Sequence, residues 1–127
     1  MSVIGIGTDI VEIERLTAMA EPVFMRLAER VLTPNELQRM ASLKAPAAFL
    51  AKRWAGKEAA AKALGTGIAD GVSFQHIEIS AHSSGKPELE LSERALELAQ
   101  ALGANQWHIS LSDERQYATA FVVLSKA

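Results

Sequence analysis

Residues 47–68 read AAFLAKRWAGKEAAAKALGTGI, one long alanine-rich helical stretch running into a glycine turn. At ~1.5 Å per residue, residues 47–64 span about 27 Å, the width of a small domain. Stepping about 100° per residue from Glu58 places Ala51, Trp54, Ala55, Lys62 and Gly65 on its side of the helix. Phe49, Gly56, Ala60 and Ala63 fall on the far side. A solvated surface helix separates a charged face from an apolar one. Here small or apolar residues run most of the way round, which predicts a largely enclosed helix. Glu58 and Lys62, one turn apart within it, form an i,i+4 pair in the favoured order, which contributes only about 0.2–0.5 kcal/mol to any helix. Gly65, Thr66 and Gly67 follow at once. Glycines permit close backbone approach and expose amide N–H groups suited to phosphate oxygens, although Gly65 also reads as a helix C-cap.

The whole chain bounds what this helix can serve. Its 127 residues fit a single domain (1–127) with room for a core, and 49% apolar with 22% charged residues is an ordinary globular composition. A net charge of −2 gives no global attraction to nucleic acid or to an anionic membrane. The absence of cysteine excludes disulfides, thiolate ligands and a cysteine nucleophile, and suits a reducing compartment. The apolar start, residues 1–13, lacks a basic flank and is broken by Asp9 and Glu12, unlike a signal peptide. No apolar run approaches the ~20 residues of a membrane span. A soluble, cytoplasmic domain is the expectation.

In order, residues 3–7 (VIGIG) read as a buried strand ending in a turn. Residues 12–20 then read as a helix that Thr8 or Asp9 could cap. Capping propensity favours Asp9 as an N-cap, and the alternative is a metal-binding carboxylate at the lip of a sheet. Pro22 opens a second helix to about Val31. Arg15, Arg26 and Arg30 lie along these two helices, as a solvated face or as a basic strip for an acidic partner. Thr33-Pro34-Asn35-Glu36 is a capping box opening a third helix to about Leu43. Beyond Gly71 the period changes to two: residues 72–81 and 88–91 read as a hairpin across Gly85-Lys86-Pro87. A helix from about Ser92 to Leu102 follows, then strands at 106–112 and 117–124. Helices early and strands late give an α+β fold, an antiparallel β-sheet packed against a long central helix.

Few residues are equipped for chemistry. There is no phosphate loop of the Walker type, no G-x-G-x-x-G, no H-E-x-x-H and no G-x-S-x-G. His76, His82 and His108 share no metal-ligand spacing. What remains is Asp9, the pair Glu58 and Lys62, and the glycine turn. Two carboxylates without imidazole or thiolate suit a hard cation such as Mg²⁺, which fills its other positions with waters and substrate phosphates. A nearby lysine would neutralise charge building on a leaving phosphate. The residues alone point to metal-assisted chemistry on a phosphate or pyrophosphate, against the alternatives of a non-catalytic binding module or a purely structural domain.

The motifs GTDIVEI (7–13) and FLAKRWAGKEAAAKALGTGI (49–68) closely resemble the holo-[acyl-carrier-protein] synthase family, the small stand-alone 4′-phosphopantetheinyl transferases. The resemblance continues through Ser73-Phe74-Gln75, Gly85-Lys86-Pro87 and WHISLS (107–112), in register along the chain. It implies a 4′-phosphopantetheinyl transferase-like fold and an enzyme that moves the phosphopantetheine arm of coenzyme A to a serine of apo acyl carrier protein. Adenosine 3′,5′-bisphosphate is left, in support of fatty acid biosynthesis. It also implies Mg²⁺ held by Asp9 and Glu58, with Lys62 at the bridging pyrophosphate oxygen and Glu58 accepting the serine proton, directly or through water. Gly65 and Thr66 match the family's turn near the nucleotide, and Arg53 and His108 match positions near the phosphates of coenzyme A. Arg15, Arg26 and Arg30 fall where relatives dock the acidic helix of the carrier protein, and a homotrimer with clefts between subunits is expected. Many relatives carry a histidine where this chain has Asp113, which is read here as a plain turn residue. Trp54 replaces a frequent phenylalanine.

Overall fold

A computed structural model describes every residue from Met1 to Ala127. The chain runs β1 (Ser2–Glu12), α1 (Ile13–Thr17), α2 (Glu21–Val31), α3 (Pro34–Ala41) and α4 (Pro46–Ala63). A 3-10 turn (Phe74–His76), β2 (Ile77–Ala81), β3 (Pro87–Leu91), α5 (Glu93–Ala101), β4 (Gln106–Asp113) and β5 (Tyr117–Lys126) follow. The sheet order is β1-β5-β4, antiparallel throughout, with β2 and β3 as a separate antiparallel hairpin. Helix α4 packs against β1, β5, β4 and β2, giving the expected α+β arrangement around a long central helix. No helix is long and apolar enough to cross a membrane.

The enclosure predicted for α4 is observed. Eleven of its 18 residues are buried: Phe49, Leu50, Ala51, Arg53, Ala55, Gly56, Lys57, Ala59, Ala60, Ala61 and Ala63. On β5, Ala118, Ala120, Val122 and Leu124 alternate toward it and are buried too. Lys57 explains how a charged residue survives in this core. Its ammonium is fully buried and donates to the Val31 and Phe74 carbonyls and to Glu36. Glu36 also accepts from the backbone N–H groups of Thr33 and Ile79, each at 2.8 Å. Burial pulls the Lys57 ammonium below its ordinary pKa, against the opposing pull of Glu36. This cluster ties α2, α3, the 3-10 turn and β2 to one point on α4. The capping box of α3 is present as read, since Thr33 accepts from the Glu36 N–H while the Glu36 carboxylate accepts from the Thr33 N–H.

Four boundaries differ from the sequence reading. The first strand does not end at Gly7; β1 continues to Glu12, and Asp9 pairs with Ala120 in mid-strand. Asp9 therefore caps no helix. The N-cap of α1 is Glu12, without a side-chain hydrogen bond, and the helix stops at Thr17 rather than Ala20. Gly5 and Gly7, read as a turn signal, serve close approach instead. A Cβ on Gly7 would lie 1.9 Å from the Ala59 carbonyl oxygen of α4. The third helix ends at Ala41, two residues short of Leu43. In residues 72–81 only Ile77–Ala81 is strand, because Ser73 caps the 3-10 turn by accepting from the Gln75 N–H at 3.1 Å.

Candidate active site

Strand β1 and helix α4 bring the chemistry-bearing residues together. Gly5, Gly7, Asp9 and Val11 alternate toward α4, while Ile6 and Ile10 point out to the far face and are exposed. Across from Asp9, the Lys62 ammonium donates to its Oδ1 at 2.9 Å and to the Thr8 carbonyl at 3.0 Å. Lys62 keeps 51% of its side chain exposed against 18% for Asp9, so the ammonium is open to a substrate while the carboxylate is half-sheltered. Glu58, one turn before Lys62, has its carboxyl pushed above the usual range, first by burial and then by the Asp9 charge. Lys62, Arg30 and the Trp54 indole pull it the other way. A cavity of about 360 Å³ opens beside them, lined by Ile6, Gly7, Thr8, Lys62 and Phe121. The largest cavity, about 680 Å³, lies elsewhere, between α1–α2 and α3–α4, and is apolar.

This donor set can be tested against the implied metal. No group of three or more His, Cys, Asp or Glu side chains stands ready to hold an ion. Two half-sheltered carboxylates repelling each other, with oxygen donors only, fit a hard divalent cation that takes its remaining ligands from water and phosphate. The fit is to a hard divalent cation that shares its shell with water and phosphate, not to a protein-caged structural ion.

The turn after α4 forms as its glycines suggest. Gly65 is left-handed at φ +85°, its N–H donates to the Lys62 carbonyl at 2.9 Å, and the Thr66 N–H reaches the Ala61 carbonyl at 3.4 Å. Thr66 donates its hydroxyl to the Gly67 carbonyl at 2.8 Å.

The other predicted site residues line different parts of the fold, except Arg30, whose charge acts on Glu58. Arg53 is buried at 6% exposure, with its guanidinium 4.4 Å from the Phe49 ring centre and its Nε without a hydrogen-bond partner. Burial lowers its pKa, Glu36 opposes and Arg39 adds to the lowering. His108 stands on β4 in register with Val123, and its Nε2 lies 3.2 Å from the Ser125 hydroxyl. It also lines a groove with Lys86, Pro87 and Trp107. Arg15, Arg26 and Arg30 are exposed on α1 and α2, with Arg15 over Trp54 at 5.6 Å and Arg30 over Phe74 at 5.7 Å. Asp113 is more than a turn residue: it ends β4 and pairs with Lys52 of α4 at 3.2 Å. Trp54, read from the sequence only as a replacement for a frequent phenylalanine on Glu58's side of the helix, lies under Arg15 and pulls on the Glu58 carboxyl. Its place one turn before Glu58 on the same side of the helix was the available signal.

Residues 5–122 match the family model described as the 4′-phosphopantetheinyl transferase superfamily. A holo-[acyl-carrier-protein] synthase from Yersinia pestis (strain Pestoides F) is 50% identical over 124 residues, covering 98% of both chains. The crystal structure of holo-[acyl-carrier-protein] synthase from Neisseria meningitidis superposes with a TM-score of 0.87 at 42% identity, over 98% of this chain and 99% of that one. The Bacillus anthracis str. Ames enzyme in complex with CoA (3′,5′-ADP) gives 0.83 at 36% identity over the full length of both. The chain belongs to the 4′-phosphopantetheinyl transferase superfamily. Within it, the similarity is to the small holo-[acyl-carrier-protein] synthases.

Proposed function

We propose that this chain acts as one transferase domain that moves the 4′-phosphopantetheine arm of coenzyme A to a serine hydroxyl of apo acyl carrier protein. The observation that carries the reading is the Asp9–Lys62 contact beside Glu58, in a chain half identical to a holo-[acyl-carrier-protein] synthase. In the transfer, the serine oxygen forms a new bond to the phosphorus that bears the pantetheine arm. The bond from that phosphorus to the bridging oxygen breaks, and adenosine 3′,5′-bisphosphate leaves. Lys62, exposed and cationic, lies where it stabilises the charge growing on the leaving phosphate. Glu58, with its carboxyl pKa raised, accepts the serine proton directly or through a water. Asp9 and Glu58 would hold Mg²⁺, which supplies charge neutralisation and alignment of the pyrophosphate when bound. Little else is required, since phosphoryl transfer depends mainly on positioning and electrostatics.

Gly65 and Thr66 sit toward the nucleotide, and Arg53 and His108 serve its phosphates. In the case of His108, on the face of the sheet away from α4, this service reaches a neighbouring subunit's substrate. A homotrimer is supported by the exposed apolar row of Val3, Ile6, Ile10 and Phe121 along the β1–β5 ladder. Arg15, Arg26 and Arg30 form the docking strip for the acidic carrier protein. The protein works in the cytoplasm, with no nucleic-acid or membrane partner.

Intact-mass spectrometry of an apo acyl carrier protein incubated with this chain, coenzyme A and Mg²⁺ tests the reading. A mass gain of one phosphopantetheine arm, absent when EDTA is added, is the expected result. Coenzyme A binding without transfer to any carrier protein would favour a non-catalytic binding module instead.

A further inference from the structure

We infer that Gly7 is a positioning residue for the metal-binding carboxylates: its missing side chain sets how deeply Thr8 and Asp9 sit against α4. The inference rests on the reading of Asp9 and Glu58 as metal ligands. A Cβ at Gly7 falls 1.9 Å from the Ala59 carbonyl oxygen, 2.8 Å from the Ala63 nitrogen and 2.9 Å from the Ala59 carbonyl carbon. All three are backbone atoms of α4, so no rotation of a side chain relieves the clash. Either the helix or the strand must move.

The helix is the less free of the two. Lys57 pins α4 from inside to Val31, Phe74 and Glu36. Strand β1 lies at the edge of its sheet and is bonded along one side only, to β5. It is β1 that yields. From Gly5 to Glu12 its register with β5 is unbroken, so a displacement at Gly7 is carried into Thr8 and Asp9. These two residues provide both acceptors of Lys62, at 3.0 and 2.9 Å, and an outward shift of about 1 Å would open both bonds. Asp9 would then stand too far from Glu58 for the two to share one small ion with strict geometry.

Gly5 provides the internal control. Its Cβ would lie 2.2 Å from the Ala63 carbonyl oxygen, the same kind of clash with the same helix. It sits, however, next to the irregularity between Val3 and Gly5, where the ladder with β5 already slips. Added bulk is absorbed there, four residues from Asp9. Both glycines matter for packing, but Gly7, two residues from Asp9, is coupled to the carboxylate more tightly than Gly5, which borders the irregularity.

The test is Mn²⁺ binding, followed by electron paramagnetic resonance in the presence of coenzyme A, for the wild type, Asp9→Asn, Gly7→Ala, Gly5→Ala and Val122→Leu. Val122 is fully buried on β5 opposite Gly7, so Val122→Leu wedges the same point with milder strain. Gly7→Ala is expected to weaken Mn²⁺ binding about tenfold or more, while Gly5→Ala stays within about twofold of the wild type. The Mg²⁺ concentration for half-maximal transfer should rise in parallel for Gly7→Ala, with the carrier-protein KM unmoved. Gly5→Ala should lower the melting temperature comparably to Gly7→Ala. Val122→Leu should shift metal affinity in the same direction as Gly7→Ala, and decides the matter if Gly7→Ala does not fold. Wild-type Mn²⁺ affinity in both Gly7→Ala and Val122→Leu overturns the inference. So does a metal loss that follows melting temperature across all variants, including Gly5→Ala. Equal Mn²⁺ binding by the wild type and Asp9→Asn overturns the metal reading itself.

Discussion

Of the three lysine–carboxylate pairs on helix α4, the two made by Lys57 and Lys62, five residues apart, are opposites. Lys57 and Glu36 are both buried, at 0% and 3% side-chain exposure, with every polar neighbour supplied by the protein. Lys62 and Asp9 stand at 51% and 18%, with hydrogen-bonding capacity left over. A buried pair in which the ammonium makes three hydrogen bonds and the carboxylate accepts three is closed to a ligand, and removing one partner leaves an uncompensated charge. A half-open pair contributes little to stability and keeps its charge available for a developing phosphate. One helix thus separates architecture from chemistry by the depth at which each lysine emerges.

The comparison breaks first at Lys57. Lys57→Met strands Glu36 in the core, and about 3–5 kcal/mol of stability should be lost in a denaturant titration. Adding Glu36→Leu should recover part of it; a Lys57→Met protein as stable as the wild type would show the pair to be dispensable. Next, Glu58→Ala and Asp9→Ala should each abolish measurable transfer while the protein stays folded. Wild-type rates in both would remove these residues from the site. If Lys62 acts on the leaving group as proposed, Lys62→Met should lower kcat by about 10²–10³ with a stability change below ~1 kcal/mol, since it removes only a half-exposed ion pair. A loss of stability similar to that of Lys57→Met would erase the distinction between the pairs. Arg15→Glu should raise the carrier-protein KM about tenfold, most at low salt, with coenzyme A binding nearly untouched. Equal loss of both would count against a docking strip. The smallest effect is expected at Lys52→Ala, within ~0.5 kcal/mol in the same denaturant titration, since its pair with Asp113 is exposed.

Much of this was legible before any coordinates. Thr33-Pro34-Asn35-Glu36 announces its capping box in four residues because the interactions are local. The small-residue pattern of α4 announces enclosure for the same reason. Glu58 and Lys62 fall on one side of the helix by periodicity, and the glycine turn follows from left-handed geometry. Asp9 was harder. Its capping propensity is a local preference, and it lost to pairing with Ala120, a contact more than a hundred residues away in the chain. Gly5 and Gly7 misled in the same way, since a glycine fitted against another backbone looks in sequence like a glycine in a turn. The second role of Glu36 was invisible, because a capping residue gives no sign that a lysine 21 positions later will reach it.

The pairing of β1 with β5 also sets when the site comes into being. Ser2 lies opposite Lys126 and Glu12 opposite Tyr117, so the strand that bears Asp9 finds its only sheet partner in residues 117–126. As the chain emerges from the ribosome, α4 can form with Glu58 and Lys62 in place while β1 still waits for its ladder. Contacts of such long sequence separation are slow to close and are made late. A nascent chain halted before Tyr117 should therefore hold its helices without a working site, and the newly made protein becomes competent only once its final strand arrives.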